Sequence, residues 1–371
     1  MRKTRDAQNV SEGITIIVDA FWGDGGKGLI SAWYALLTHA SGVFRGCGGP
    51  GAEHGIFYNG KYIKTNQLPL GFLMTGSLVG IGPGTAVDPE KLYEEMVRFK
   101  LEPDRVRIDP RCPLVTPLDI EEEIRSAHMR GIGSTMSGTG ACMAKRVLRT
   151  APLAEEVGYL KPLVENIPEL ANKLASEGNI ILESSQGFGL SNFFGSGKYV
   201  TSVDVTTGSV LAGVGADWRK IKRVVLVVKA LPTREGTGPM GNVEEFTVEE
   251  MLEKGIVEYS SIRDPQTGKP NIRRKAKGID WDILKRASDI NGATEIALTF
   301  AEHYDKSVTD VTKWSDLTPK VLNLIKKIES VTGAPVTVVN TGKSFNSLAW
   351  REGTPEFTNV EEERLGSYIP A

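Results

Sequence analysis

The stretch "VDAFWGDGGKGLISAWYALLTHA", residues 18–40, decides the fold: an apolar run turns through four glycines, Asp24 and Lys27 into a helical pattern. A strand ending at Ala20, then "GDGGKG" and a helix, aims unpaired backbone N–H groups and a lysine at one point, where the helix dipole favours an anion. The outline is that of a phosphate cradle centred on Gly26, Lys27 and Gly28. It departs from the Walker pattern, because Phe21 stands where the first glycine belongs and Gly28 stands where Ser or Thr follows the lysine. A glycine-rich turn without a ligand is the competing reading. The later "NTGKS", residues 340–344, departs as well, with Thr337 at the first glycine position.

Outward from this junction, short β-branched runs recur: "ITIIVDA" (14–20), "SLVGIGPG" (77–84), "NIILESS" (179–185), "RVVLVVKAL" (223–231), "EIALTFA" (295–301) and "VTVVNTG" (336–342). Most are apolar throughout, as strands covered on both faces are. Amphipathic segments lie between them. "DPEKLYEEMVRFK" offers Asp88 as N-cap and Pro89 as first helical residue, and "TPKVLNLIKKIESVTG" has Pro319 early and Gly333 at its end. The alternation predicts an α/β fold, a single large domain over residues 13–371 with a mostly parallel central sheet flanked by helices. Residues 1–12 read as a flexible tail. The segments 45–60, 131–145 and 232–280 read as mobile ligand-binding loops, the last being long, poorly patterned and rich in Gly, Pro, Lys and Arg.

Composition narrows the function. A chain of 371 residues with 40% hydrophobic and 24% charged residues buries a sizeable core. A formal charge of -2 and a pI near 6.2 speak against a nucleic-acid coat or a membrane-surface protein and favour small anions as ligands. Cys47, Cys112 and Cys142 have no CxxC spacing, which argues against a disulfide framework or zinc ribbon and points to a reducing cytosol. No apolar run approaches the roughly 20 residues that span a bilayer.

"FWGDGGKG" resembles the WGDEGKGK signature of adenylosuccinate synthetases, and five further blocks follow in that family's order. They are "RGCGGPGAEHG" (45–55), "GIGSTMSGTGACMAKRVLR" (131–149), "ESSQGFGL" (183–190) with "YVTSVDVTTGSV" (199–210), "LPTREGTGP" (231–239) and "IRRKAKGIDWD" (272–282). The compact length and "INGATEIALTFAEHYDK" look closest to the archaeal branch and to phage relatives that make 2-aminoadenylosuccinate. The resemblance implies a P-loop NTPase-related fold. It also implies a ligase that phosphorylates O6 of a purine nucleoside monophosphate with a nucleoside triphosphate and then displaces that phosphate with L-aspartate.

By position in these blocks, Asp24 becomes the base toward purine N1–H and a Mg²⁺ ligand, with Glu53 as a second candidate ligand, and His54 donates to the transferred phosphoryl group. Lys27 sits on the donor phosphates and Gln186 supports the phosphorylated purine. Thr135, Thr201 and Arg149 hold the substrate phosphate, Arg149 reaching across the interface of a homodimer. Arg274 clamps the aspartate carboxylate. For each there is a plainer structural reading: a solvated loop histidine, a threonine capping a turn, an arginine at a helix end, or a basic surface face. His39, His128 and His303 keep that plainer reading.

The departures matter too. The family's Glu after the acid is Gly25, and its arginine beside the ribose 2′-hydroxyl aligns with Ile272. Ile272 cannot pair a 2′-hydroxyl and Gly25 leaves room for a 2-amino group, so dGMP is the expected acceptor, with IMP the alternative. Glu302 falls where the family reads guanine, while Phe300 replaces its lysine. The expected donor is GTP, with ATP or dATP open, passing Thr341 and Gly342. The expected location is the cytoplasm, the host's if the gene is a phage's. A non-catalytic GTP-binding switch is the remote alternative, disfavoured by the joint presence of Asp24, His54 and Gln186.

Overall fold

A computed structural model describes residues 12–73, 76–263 and 269–353. The expected flexible tail falls, except for Glu12, outside the described residues, as does part of the 232–280 segment.

Among the described residues, nine strands form the central sheet. Across it they run Leu348–Trp350, Val336–Asn340, Glu295–Thr299, Ile221–Lys229, Gly13–Asp19, Asn179–Glu183, Gly42–Arg45, Leu78–Ile81 and Val106–Ile108. Every pairing is parallel except the edge strand Leu348–Trp350, which lies antiparallel to Val336–Asn340. All six apolar runs are strands of this sheet. Their continuous apolarity follows from double coverage. Ile17 faces the helix Lys27–Leu37 with Ile30, Trp33 and Leu37. Ile16 and Val18 face the other way, into a core with Ala171, Val210, Leu284 and Ile325 from four helices. Each fully buried Ile or Val contributes roughly 1.5–3 kcal/mol, and this fixes where the strands end.

The helix signals hold. Asp88 accepts the N–H groups of Glu90 and Lys91 at the head of Pro89–Arg98, and Gly333 closes Pro319–Thr332 in the left-handed region. The described part of the stretch 232–280 contains regular structure. Thr247 and Glu250 form a reciprocal cap that starts the helix Val248–Lys254, and short ribbons pair Thr233–Arg234 with Arg274–Lys275. Within 45–60, His54–Tyr58 pairs with Lys61–Thr65 as a hairpin, and within 131–145 the helix Thr139–Leu148 begins.

Because the strands are parallel, their carboxyl ends share one edge of the sheet. Asp19, Arg45, Glu183, Lys229, Thr299 and Asn340 are the last residues of six of them. In open α/β sheets, ligands bind just outside that edge. The functional blocks of the sequence are the loops that leave it.

Candidate active site

The first of these loops is organised by Asp19, which is almost fully buried. Its carboxylate accepts the backbone N–H of Phe21 at 2.9 Å and of Gly25 at 3.2 Å, and the ammonium of Lys27 at 3.2 Å. Lys27 opens the helix and also donates to the carbonyl of Gln186. This packing explains the missing Walker hydroxyl. A Cβ at Gly28 would meet Leu70 Cδ1 at 2.5 Å and His54 Cβ at 3.3 Å.

Two cavities open from the sheet edge. The larger, about 570 Å³, is walled by Trp22, Thr135, Gln186, Thr201, Arg234 and Glu235 among others. The smaller, about 310 Å³, takes in Gly25, Gly26, Gly28, Arg273, Phe300, Asn340 and Gly342. Asp24, Lys27, Glu53 and His54 belong to the walls of both. Volumes of this order suit small molecules, and the four shared residues stand where the two would meet.

Asp24 occupies the left-handed region at φ 53, and its carboxylate lies 3.0 Å from Arg273. Glu53 is tied to Lys64 at 3.0 Å and to Tyr62 at 3.3 Å. His54 is buried, with Nδ1 against the carboxylate of Glu183, which is itself fully buried beside Arg45. Burial and the Arg45 guanidinium push the imidazole down to about 4, against the pull of Glu183. His54 is therefore neutral at neutral pH, and with Nδ1 turned to Glu183, donation from its other nitrogen requires a further proton. Gln186, at φ 47, has a buried Oε1 without a hydrogen-bond partner, as does Trp22 Nε1. Both belong to walls of the larger cavity, and such orphaned groups are costly unless a ligand or water pairs them.

Other expected residues fall elsewhere. Gly25 borders only the smaller cavity, and a Cβ there would meet Asp19 Oδ2 at 2.3 Å, so this glycine makes room for the Asp19 carboxylate. Ile272 packs on a small apolar cluster of Leu231, Met251 and Ile256, and is in the wall of neither cavity. Arg274 turns to Glu245 and to the carbonyls of Gly236 and Gly238. Arg149, exposed, caps the helix Thr139–Leu148 in the left-handed region next to exposed Val147 and Leu148, outside both cavities. Thr341 is buried on the carbonyl of Val311. Glu302 is in the wall of neither cavity; its buried Oε2 has no partner, and burial pushes its carboxyl up to about 7.

The residues not anticipated are Arg273, Glu235 and Glu183. Successive residues of an extended segment point to opposite sides, so the arginine pair 273–274 divides, the first residue toward Asp24 and the second toward Glu245. Glu235, in the wall of the larger cavity, is 3.2 Å from Arg273, and burial raises its carboxyl above the usual range. For Mg²⁺ the chain offers the Asp24 carboxylate. Among the described residues no group of three or more His, Cys, Asp or Glu side chains is placed to hold a metal. A single carboxylate completed by substrate phosphates and water is the donor set Mg²⁺ accepts.

A doubly wound sheet with a lysine-headed helix and two cavities that share an acid and a histidine defines an α/β enzyme of small-molecule substrates. The family profile "Adenylosuccinate synthetase" matches residues 16–160 and 151–307. The adenylosuccinate synthetase of Pyrococcus sp. (strain ST700) is 36% identical over 343 residues, covering 91% of this chain and 98% of the relative. That of Archaeoglobus fulgidus is 36% identical over 338 residues, covering 91% and 97%. The chain belongs to the adenylosuccinate synthetase family, ligases that form a C–N bond. Two solved structures share the fold: the fully ligated Plasmodium falciparum adenylosuccinate synthetase (TM-score 0.78, 20% identity, 92% of this chain and 100% of that one) and the cyanophage S-2L succinoaminodeoxyadenylate synthetase bound to dGMP and dATP (TM-score 0.76, 24% identity, 91% and 95%). Among the described residues no helix is long and apolar enough to cross a membrane.

Proposed function

We propose that this chain is an ordinary adenylosuccinate synthetase, joining L-aspartate to C6 of IMP at the expense of GTP. The observation that carries the reading is the sharing of Asp24, Lys27 and His54 between the two cavities. IMP takes the larger cavity and GTP the smaller. Asp24 removes the N1 proton, electron density moves to O6, O6 attacks the γ-phosphorus, and GDP leaves. Lys27 and His54 stabilise the charge on the moving phosphoryl group, and Gln186 supports the phosphorylated purine. The amine of aspartate then attacks C6, inorganic phosphate departs and the amine gives up a proton. Mg²⁺, held by Asp24 and the donor phosphates, would neutralise phosphate charge.

The expectation of dGMP loses its physical support with the positions of Gly25 and Ile272, neither of which borders the larger cavity. The archaeal relatives, at 36% identity over almost their whole length, favour IMP. Thr135 and Thr201, in the walls of the larger cavity, suit the substrate phosphate. Exposed Val147 and Leu148 beside Arg149 suit a homodimer in which Arg149 enters the partner's site. Three buried free cysteines suit the cytoplasm. The deciding experiment is aspartate-dependent phosphate release with IMP or dGMP as acceptor, each with GTP or ATP as donor. Turnover with IMP and GTP is expected; turnover confined to dGMP would defeat the proposal.

A further inference from the structure

Asp24 is one of nine described non-glycine residues with positive φ. An L-residue stays there only when its surroundings hold it. Its side chain meets Arg273, which lies on a different loop. Its backbone is held by another residue. The ammonium of Lys229, at the carboxyl end of the central strand Ile221–Lys229, donates to the carbonyl oxygen of Asp24 at 2.9 Å.

Lys229 is 1% exposed, and its ammonium has three acceptors: the Asp24 carbonyl, Thr233 Oγ1 at 2.8 Å and Glu258 Oε2 at 2.6 Å. It also lies 4.1 Å from the centre of the Phe300 ring. Neutralising Glu258 does not account for it. The other oxygen of Glu258 already accepts from the buried Lys275 at 2.6 Å, and Lys275 in turn contacts His303 Nδ1 at 2.9 Å. A buried carboxylate needs one such partner, and desolvating a second ammonium is expensive. What Lys229 reaches and Lys275 is not seen to reach is the turn carrying the proposed base and the aromatic wall of the smaller cavity. Phe300 borders that cavity, its N–H donates to Asn340 Oδ1 at 3.2 Å, and the preceding Thr299 hydroxyl donates to the carbonyl of Gly25 at 2.7 Å.

We infer that Lys229 is a positioning residue. It fixes the backbone of Asp24 so that the carboxylate meets the acceptor, and it ties that turn to the wall of the donor cavity. The inference rests on the proposed role of Asp24 as base. It concerns the first half-reaction, in which O6 of the acceptor takes the γ-phosphoryl group, and contact with either nucleotide plays no part in it.

The test uses the full-length protein, IMP and GTP labelled with ¹⁸O in the β,γ-bridge, without aspartate. Reversible phosphoryl transfer scrambles the label. Wild-type protein is expected to scramble it when IMP is present; failure there overturns the proposed function itself. Lys229→Met is expected to slow scrambling and kcat together by about 100-fold, the scale of an ångström-sized misplacement of a reacting group. Its KM values for IMP and GTP should stay near wild type, while its melting temperature falls because three buried acceptors lose their donor. Should the methionine variant not fold, Lys229→Arg, which keeps the charge but not the geometry of the three acceptors, carries the same expectation. Scrambling at full rate in either folded variant, or a loss that follows weakened nucleotide binding, overturns the inference.

Discussion

The carboxylate of Asp24 and the guanidinium of Arg273 lie 3.0 Å apart where the two cavities meet, and Arg273 also reaches Glu235 at 3.2 Å. Three carboxylates, those of Asp24, Glu258 and Glu235, hold this arginine more firmly protonated than usual against the effect of burial. A planar cation fixed beside the proposed base is well placed to receive the carboxylates of L-aspartate. Arg273→Met should therefore lower kcat/KM for aspartate by about 100-fold or more, the loss of a charge-assisted pair of roughly 3 kcal/mol. Arg274→Met, which cuts a half-exposed pair with Glu245, should change that ratio by less than about fivefold. Initial rates against aspartate concentration at saturating IMP and GTP separate the two; the reverse ranking would return the clamp to Arg274.

The His54–Glu183 pair makes a second prediction. His54 must hold two protons to donate to a phosphoryl group while its Nδ1–H donates to Glu183. Burial and Arg45 already hold the imidazole down to about 4. Glu183→Gln removes the one nearby group that pulls upward, so kcat should fall by about 10²–10⁴-fold. KM for IMP should change little, because Glu183 borders neither cavity. The pH–rate profile decides it, with the limb on which activity falls as pH rises expected to move to lower pH. A glutamine variant with an unshifted profile contradicts the pairing.

How much of this was legible in the sequence varies with length scale. Six strands were readable because continuous apolar β-branched runs are what doubly covered strands require. "GVFR" (42–45) and "VRI" (106–108) were not, since three or four residues with an arginine carry no usable period. At the site, Asp24, Lys27, His54 and Gln186, all in the wall of the larger cavity, were legible as candidates because motif blocks anchor them. Glu183 was quoted within such a block but passed over, since nothing local says that a buried acid at the end of one strand will meet a histidine 129 positions away. Ile272 and Arg274 border neither cavity, and sequence alone places such residues poorly, because a shift of one residue in an extended segment changes which side chain enters the cavity. Gly25 misled because a missing side chain was read as space for a ligand, when the space belongs to Asp19.

Gly28 allows a direct test of that last point. Restoring the Walker residue with Gly28→Ser places a Cβ 2.5 Å from Leu70 Cδ1. Overpacking of this kind costs about 1–3 kcal/mol. Gly28→Ser should therefore lower the denaturant midpoint and raise no activity, while adding Leu70→Ala to it should recover less than Leu70→Ala alone loses. A serine variant as stable as wild type would mean that the Leu70 side chain yields easily and that sterics do not explain the departure from the Walker pattern.

Glu302 supplies the last prediction, on the donor. Burial, reinforced by the charge of Glu258, lifts its carboxyl from 4.5 to about 7, and its Oε2 lacks a partner. Only the ionised form accepts from guanine N1–H and N2–H together; adenine offers no such pair of donors. KM for GTP should accordingly fall as pH rises from 6 to 8, and with ATP the same range should show no fall. In Glu302→Gln the slope with GTP should vanish. Stability gives an independent reading with a definite sign. A carboxyl raised in the folded state binds its proton more tightly there than when unfolded, so the folded chain loses stability as pH climbs from 4.5 through about 7. Glu302→Gln, which mimics the protonated side chain, should melt at higher temperature than wild type at pH 8, with the gap closing toward pH 4.5. A flat KM for GTP across this range, together with a constant gap in melting temperature, would remove Glu302 from the donor site and leave the choice between guanine and adenine to the walls formed by Phe300 and Asn340.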